Sequence, residues 1–225
     1  MERRVKINMP IENSITPNGK CETKPDASRS ATQKRTTGET SVSVSISLDG
    51  EALTSNRLIE TNCGFLNHML TLFAFHSGCS LVIDARGDVE VDYHHLTEDI
   101  GVTLGLCIKK ALGEGRGVAR YASVFLPMDE TLVLVAMDIS GRAWLTFDVD
   151  IKVQKVGDFD TELVKEFFMG LCRSLGLTLH IKLISGENAH HIIEAIFKGF
   201  GRAFGEAIKI DARRSAIIPS TKGVL

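Results

Sequence analysis

The chain has 225 residues, a formal net charge of −2 and 44% hydrophobic residues, enough for one sizeable core or two half-size ones. The balanced charge gives no footprint for nucleic acid, and no apolar run approaches the roughly 20 residues of a membrane helix. Five scattered cysteines without a C-x-x-C fit a reducing compartment and exclude a disulfide framework.

Residues 1–35 are rich in Ser, Thr, Asn, Lys and Pro and lack apolar periodicity, which predicts a flexible leader. It has no hydrophobic h-region, so it is not a secretory signal. Glu2, Glu12, Glu22 and Asp26 make it a poor transit peptide. A cytoplasmic location is expected, with organelle import through the leader left open.

The fold proper is expected to start at Arg35-Thr36-Thr37-Gly38-Glu39-Thr40. Val42, Val44, Ile46 and Leu48 alternate with serines, the mark of a strand with one buried face. A helix is expected over residues 65–75, carrying His68 and ending near His76. Residues 80–85 read as a strand, Arg86-Gly87-Asp88 as a turn and residues 89–91 as the returning strand. A helix then opens at His94 and runs to Leu112. Ile100, Leu104, Ile108 and Leu112 form its apolar stripe, and Gly113-Glu114-Gly115 stops it.

From Val118 the order repeats. Strands are expected over 124–126 and 131–138, joined by Pro127-Met128-Asp129-Glu130, and over 144–151 after the Ser140-Gly141-Arg142 turn. A helix over 161–175, a strand over 178–184 and a helix over 190–208 follow. The repeated order predicts an internal duplication, with halves at 36–117 and 118–210 and a tail at 211–225.

Four of the seven histidines fall in two motifs, His94-His95-x-x-Glu98 and His190-His191-x-x-Glu194, each opening an amphipathic helix. Vicinal rings on a helix diverge by about 100°, so they suit two different ions better than one. Two imidazoles and one carboxylate per motif are too few for two octahedral ions, so further ligands must come from elsewhere. The donors suit Mn, Fe, Zn, Ni or Co, and the absence of Cys argues against a thiolate site. Aligning the halves places Glu166 opposite His68, which makes both candidate ligands. Lys198 follows Glu194 by one turn on the same face. Its counterpart in the first half is Val102.

With these motifs, Gly64-Phe65-Leu66-Asn67-His68-Met69-Leu70, Gly141-Arg142 and Pro219-Ser220-Thr221-Lys222-Gly223, the chain resembles the imidazoleglycerol-phosphate dehydratase family of histidine biosynthesis. The resemblance runs from about Thr36 to the C-terminus. It implies an α+β sandwich of duplicated half-domains, with helices packed between two mixed four-stranded sheets, like domain 2 of ribosomal protein S5. It implies a hydro-lyase that converts D-erythro-imidazole-glycerol phosphate to imidazole-acetol phosphate with two Mn2+ ions per active site. It also implies a homo-oligomeric shell of 24 subunits with active sites between chains, and neither nucleic acid nor membrane as partner.

Carried over by resemblance, the metal ligands are His68, His94, His95, Glu98, Glu166, His190, His191 and Glu194. Glu39 and His76 act at the glycerol carbons, alongside the metal-bound carboxylates Glu98 and Glu194. Arg120, Arg142, Lys198, Ser220 and Lys222, with Glu39, bind the phosphorylated imidazole substrate. The chain departs from the family's usual Asp at Asn67, Gln or a similar polar residue at Leu72, and His at Glu166. Two other readings draw on the same residues: a metal-binding homologue with lost or altered activity, and a hydrolase using a metal-bound water.

Overall fold

The computed structural model describes residues 29–50 and 58–225; the expected leader up to residue 28 lies outside them, as does Cys21. The first half comprises β1 (Ser30–Thr36), β2 (Thr40–Ser47), β3 (Ile59–Glu60), α1 (Gly64–Ser77), β4 (Ser80–Gly87) and α2 (His94–Leu112). The second comprises β5 (Tyr121–Met128), β6 (Thr131–Ile139), β7 (Trp144–Asp148), β8 (Lys155–Val156), β9 (Phe159–Asp160), α3 (Leu163–Leu175), β10 (Leu177–Ser185) and α4 (Ala189–Ala207). A 3-10 turn at Ala212–Arg214 begins the tail.

Strand order is β1-β2-β4-β3 in one sheet and β5-β6-β10-β7 in the other. In each, the last strand is parallel to its neighbour and the other pairs are antiparallel. The topologies are the same, so the duplication read from the motif order is a duplication of architecture. Four helices lie between two mixed four-stranded sheets, the expected α+β sandwich.

Strand β2 follows its pattern: Val42, Val44 and Ile46 are buried and the serines between them face outward. Three expectations need correction. Strand β1 begins at Ser30, inside the stretch expected to be leader, and pairs with β2 from Ser30↔Ser47 to Thr36↔Ser41. It is an edge strand of Ser, Thr, Gln, Lys and Arg with little apolar signal, so its pattern resembles solvated chain. Residues 89–91 form no strand, because β2 and β3 already occupy both edges of β4. The strand opening at Trp144 stops at Asp148, and a small β8–β9 hairpin follows, turned at Gly157 with φ 61°.

Helix α1 packs on α4, and α2 on α3. Phe73 of α1 stacks on Phe200 of α4 with ring centroids 5.2 Å apart, and Phe168 of α3 meets Phe197 of α4 at 5.1 Å. These rings are fully buried, each worth about 1.5–3 kcal/mol of apolar transfer. The resulting core holds rigid the helix ends that carry the histidines.

Candidate active site

Helix α4 is capped by Asn188, whose side-chain oxygen accepts the N–H groups of His190 at 2.9 Å and His191 at 3.3 Å. The two rings then part, with centroids 6.4 Å apart and planes at 85°. His190 turns towards α1. Its Nε2 lies 3.0 Å from Glu194 Oε2, and His68 Nε2 reaches the same oxygen at 3.4 Å. The ligand atoms of His68, His190 and Glu194 all lie within 4.8 Å of one another. Lys198 Nζ sits 2.5 Å from the other Glu194 oxygen. Burial opposes the charge on Glu194, but Lys198, His190 and His68 together hold its carboxyl below the ordinary range. Two imidazoles and an ionised carboxylate thus converge on one point and fit a borderline divalent cation.

His191 turns the other way. Its Nδ1 is 2.8 Å from Glu130 Oε2. The other Glu130 oxygen accepts the backbone N–H groups of Asn188 at 3.0 Å and Glu187 at 3.3 Å. The His191 contact and these donors pull the Glu130 carboxyl down to about 2, while Glu130 pushes the His191 imidazole up. The first half repeats the device. His95 Nδ1 is 3.0 Å from Asp88 and 3.7 Å from Glu39, and these carboxylates, Asp88 first, raise its pKa. In both halves the second histidine turns Nδ1 to a carboxylate, and among the described residues its Nε2 makes no hydrogen bond, that of His191 lying 3.8 Å from Asp129 Oδ2. This is the orientation of metal-ligating imidazoles.

His94 has its backbone N–H bonded to Asp92 at 2.7 Å, and its ring lies 6.1 Å from that of His95. Glu98 and Glu166 occupy the positions equivalent to Glu194 and His68. Among the described residues the only set of His, Cys, Asp and Glu gathered tightly enough for a metal is that of His68, His190 and Glu194. Among the described residues the Asn67 side chain makes no hydrogen bond to His68. Its Oδ1 accepts from the N–H of Thr61 at 3.0 Å and from the Thr61 hydroxyl at 2.6 Å. Leu72 packs against the core.

Arg120, Arg142, Ser220 and Lys222 line one cavity of about 530 Å³. Arg120 is committed within it, donating to Asp138 at 2.7 and 3.2 Å and to the Pro219 carbonyl at 2.7 Å. It anchors the tail that carries Ser220 and Lys222. Arg142 is exposed at 68% and more loosely held, 3.9 Å from Asp138. His76 ends α1, where burial and the charges of Lys198 and Arg202 lower its pKa, so the ring is neutral near pH 7. The expected site residues therefore stand in separate groups within one chain: the His68 cluster, the Glu39–His95 pair, His191 with Glu130, and the tail cavity. Asp88, Glu130 and Asp138 escape the sequence reading because they lie in or near turns, where acidic residues are ordinary. Only the spatial partner distinguishes them.

Fold and site together define an enzyme of the duplicated α+β sandwich class, with imidazole and carboxylate donors at the starts of its helices. The model of the imidazoleglycerol-phosphate dehydratase family matches residues 61–204. The chain is 52% identical over 197 residues to the imidazoleglycerol-phosphate dehydratase of Methylorubrum populi, covering 88% of this chain and 100% of that protein. It is 50% identical over 197 residues to that of Listeria welshimeri, with coverage of 88% and 100%. The crystal structure of the Staphylococcus aureus enzyme superposes with a TM-score of 0.73 at 47% identity, covering 81% of this chain and 99% of that one. That of Pyrococcus furiosus gives 0.71 at 45%, with coverage of 85% and 99%. The chain belongs to the imidazoleglycerol-phosphate dehydratase family, and so to the hydro-lyases.

Proposed function

We propose that the chain removes water from D-erythro-imidazole-glycerol phosphate to give imidazole-acetol phosphate, as a cytoplasmic enzyme of histidine biosynthesis. The observation that carries this reading is the convergence of His68, His190 and Glu194 on one point in a chain of this family. His68, His190 and Glu194 would hold one Mn2+, with His95 of a neighbouring chain completing the protein ligands. Under the duplication Glu166, His94 and Glu98 would hold the second, with a neighbour's His191. An assembly of 24 chains brings such neighbours together. The ions supply positive charge that acidifies the substrate's imidazole ring.

The chain's own residues do the rest. Elimination takes a proton from one glycerol carbon and a hydroxyl from the next, so an acid/base group must reach both. Glu39 is assigned that role: its side chain is 57% exposed at the tip of the β1–β2 hairpin, beside His95. His76, neutral near pH 7, can take up a proton at the same carbons. Arg142, Ser220 and Lys222 offer the phosphate cations and a hydroxyl, and Arg120 holds their loop in place. Lys198 balances the charge of Glu194 and extends towards the substrate from the same face.

The alternative of a silent homologue rests on Asn67, Leu72 and Glu166. Asn67 is occupied with Thr61 and Leu72 with the core, and neither disturbs the contact of His68 with Glu194. A carboxylate at position 166 remains a manganese donor. The test is a dehydratase assay on metal-stripped protein, with and without added Mn2+, following imidazole-acetol phosphate. Mn-dependent product formation is expected; its absence in fully loaded protein refutes the reading.

A further inference from the structure

Three residues, Thr37-Gly38-Glu39, join β1 to β2, and hydroxyl groups hold their shape. The Thr37 N–H donates to the Thr40 carbonyl at 2.9 Å. Thr37 Oγ1 accepts the N–H groups of Glu39 at 3.2 Å and Thr40 at 3.0 Å, and shares a hydrogen bond with Thr40 Oγ1 at 3.1 Å. Thr40 Oγ1 in turn donates to Asp99 Oδ2. The other Asp99 oxygen receives Arg35 Nε at 2.8 Å. Asp99 is a buried carboxylate on α2, next in sequence to Glu98. An unbroken path of hydrogen bonds thus runs from α2 through Thr40 and Thr37 to the backbone of Glu39.

The second half shows that the fold does not require this path. The residue equivalent to Asp99 is Ala195. The β5–β6 turn is tied instead by Glu130 itself, whose carboxylate grips two backbone N–H groups and His191. Among the described residues the Glu39 carboxylate makes no such grip and meets only His95, at 3.7 Å. A carboxylate that must approach substrate cannot also be tied down by its own oxygens, so its backbone has to be fixed from behind.

We propose that Asp99 is a positioning residue that fixes the β1–β2 hairpin, through Thr40 and Thr37, and thereby aims Glu39. The inference rests on the assignment of proton transfer to Glu39. A displacement of about 1 Å in such a group can cost about 100-fold in rate.

The test uses the full-length, Mn-loaded enzyme. Asp99→Asn and Thr40→Val should each lower kcat by about 10- to 100-fold with KM nearly unchanged, and Thr40→Ser should restore it. Amide exchange at Glu39 and Thr40 should accelerate while α2 stays protected and metal content is unaltered. The decisive comparison is Asp99→Asn combined with Glu39→Gln. If Asp99 acts through Glu39, the double variant is no slower than Glu39→Gln alone. If the two losses multiply, the inference falls while the role of Glu39 stands. If Glu39→Gln turns over at the wild-type rate, the assignment of Glu39 falls and takes the inference with it. Should Asp99→Asn unfold α2, Thr40→Val decides, because it leaves the Asp99–Arg35 pair intact.

Discussion

Gly201 of α4 lies against the backbone of Phe73 of α1 so closely that a Cβ there would stand 2.9 Å from the Phe73 carbonyl oxygen. The equivalent pair in the other half, Gly105 and Leu171, would stand at 2.7 Å. Near contact of the paired helices is therefore a property of the duplicated plan, and in one pair it lets His68 reach Glu194. Alanine is favoured over glycine in a helix by about 1 kcal/mol. Forcing the helices apart costs about 1–3 kcal/mol, and Gly201→Ala should destabilise the chain by up to about 2 kcal/mol net. Metal affinity should fall with it. Gly64→Ala is the control, since a Cβ there meets nothing within 4 Å. Denaturant unfolding and metal titration of both variants check the prediction.

Under the proposed function, the three donors of the His68 cluster would hold one ion. His190→Ala removes one and should drop bound manganese from two ions per chain to one. Glu166→Ala should do the same for the other ion, and the double variant should bind none. Elemental analysis of the purified variants reads this directly. Two ions retained in His190→Ala would break the ligand assignment.

Much of this was legible in the chain because the duplication is written in alignable motifs. His94-His95 and His190-His191 open α2 and α4 as the spacing predicts, and Val42, Val44 and Ile46 mark β2 by alternation alone. Strand β1 was not legible, because an edge strand with one half-buried face carries little apolar signal. The carboxylates that orient His95 and His191 were not legible either. Glu130 stands 61 residues before His191, and Asp88, only seven before His95, lies in a turn where an acidic residue carries no signal of its partner. The partners of Arg120 were not legible for the same reason: Asp138 and Pro219 come from a strand and from the tail.

The pair of Glu130 and His191 sets a pH window for the metal-free protein. The Glu130 carboxyl is lowered from 4.5 to about 2, so its contribution to stability is present above 4.5 and is lost as pH falls towards 2. The His191 imidazole is raised above 6.5, so its contribution is complete below 6.5 and is lost as pH rises through the folded value. The two conditions hold together between pH 4.5 and 6.5. The difference in Tm between wild type and Glu130→Gln should be largest in that window and shrink on both sides. Thermal melts of the apo proteins across pH measure it, and a difference independent of pH would contradict the pairing.

Lys222 and Arg120 border the same cavity but should fail differently. Lys222 is exposed, its backbone N–H bonded to Ser220 Oγ at 3.2 Å. A cation that meets the substrate phosphate there acts alike in ground and transition states, so Lys222→Ala should raise KM about 10-fold and leave kcat and Tm in place. Arg120 is spent on Asp138 and the Pro219 carbonyl, with its side chain only 11% exposed. Arg120→Ala leaves a part-buried carboxylate without its partner and frees the tail, at a cost of about 1–3 kcal/mol. Its Tm should drop and its KM rise together, because the loop bearing Ser220 and Lys222 loses its anchor. Steady-state kinetics alongside thermal melts separates the two. An unchanged KM in Lys222→Ala would take that residue out of the phosphate site, and an unchanged Tm in Arg120→Ala would deny Arg120 its anchoring role.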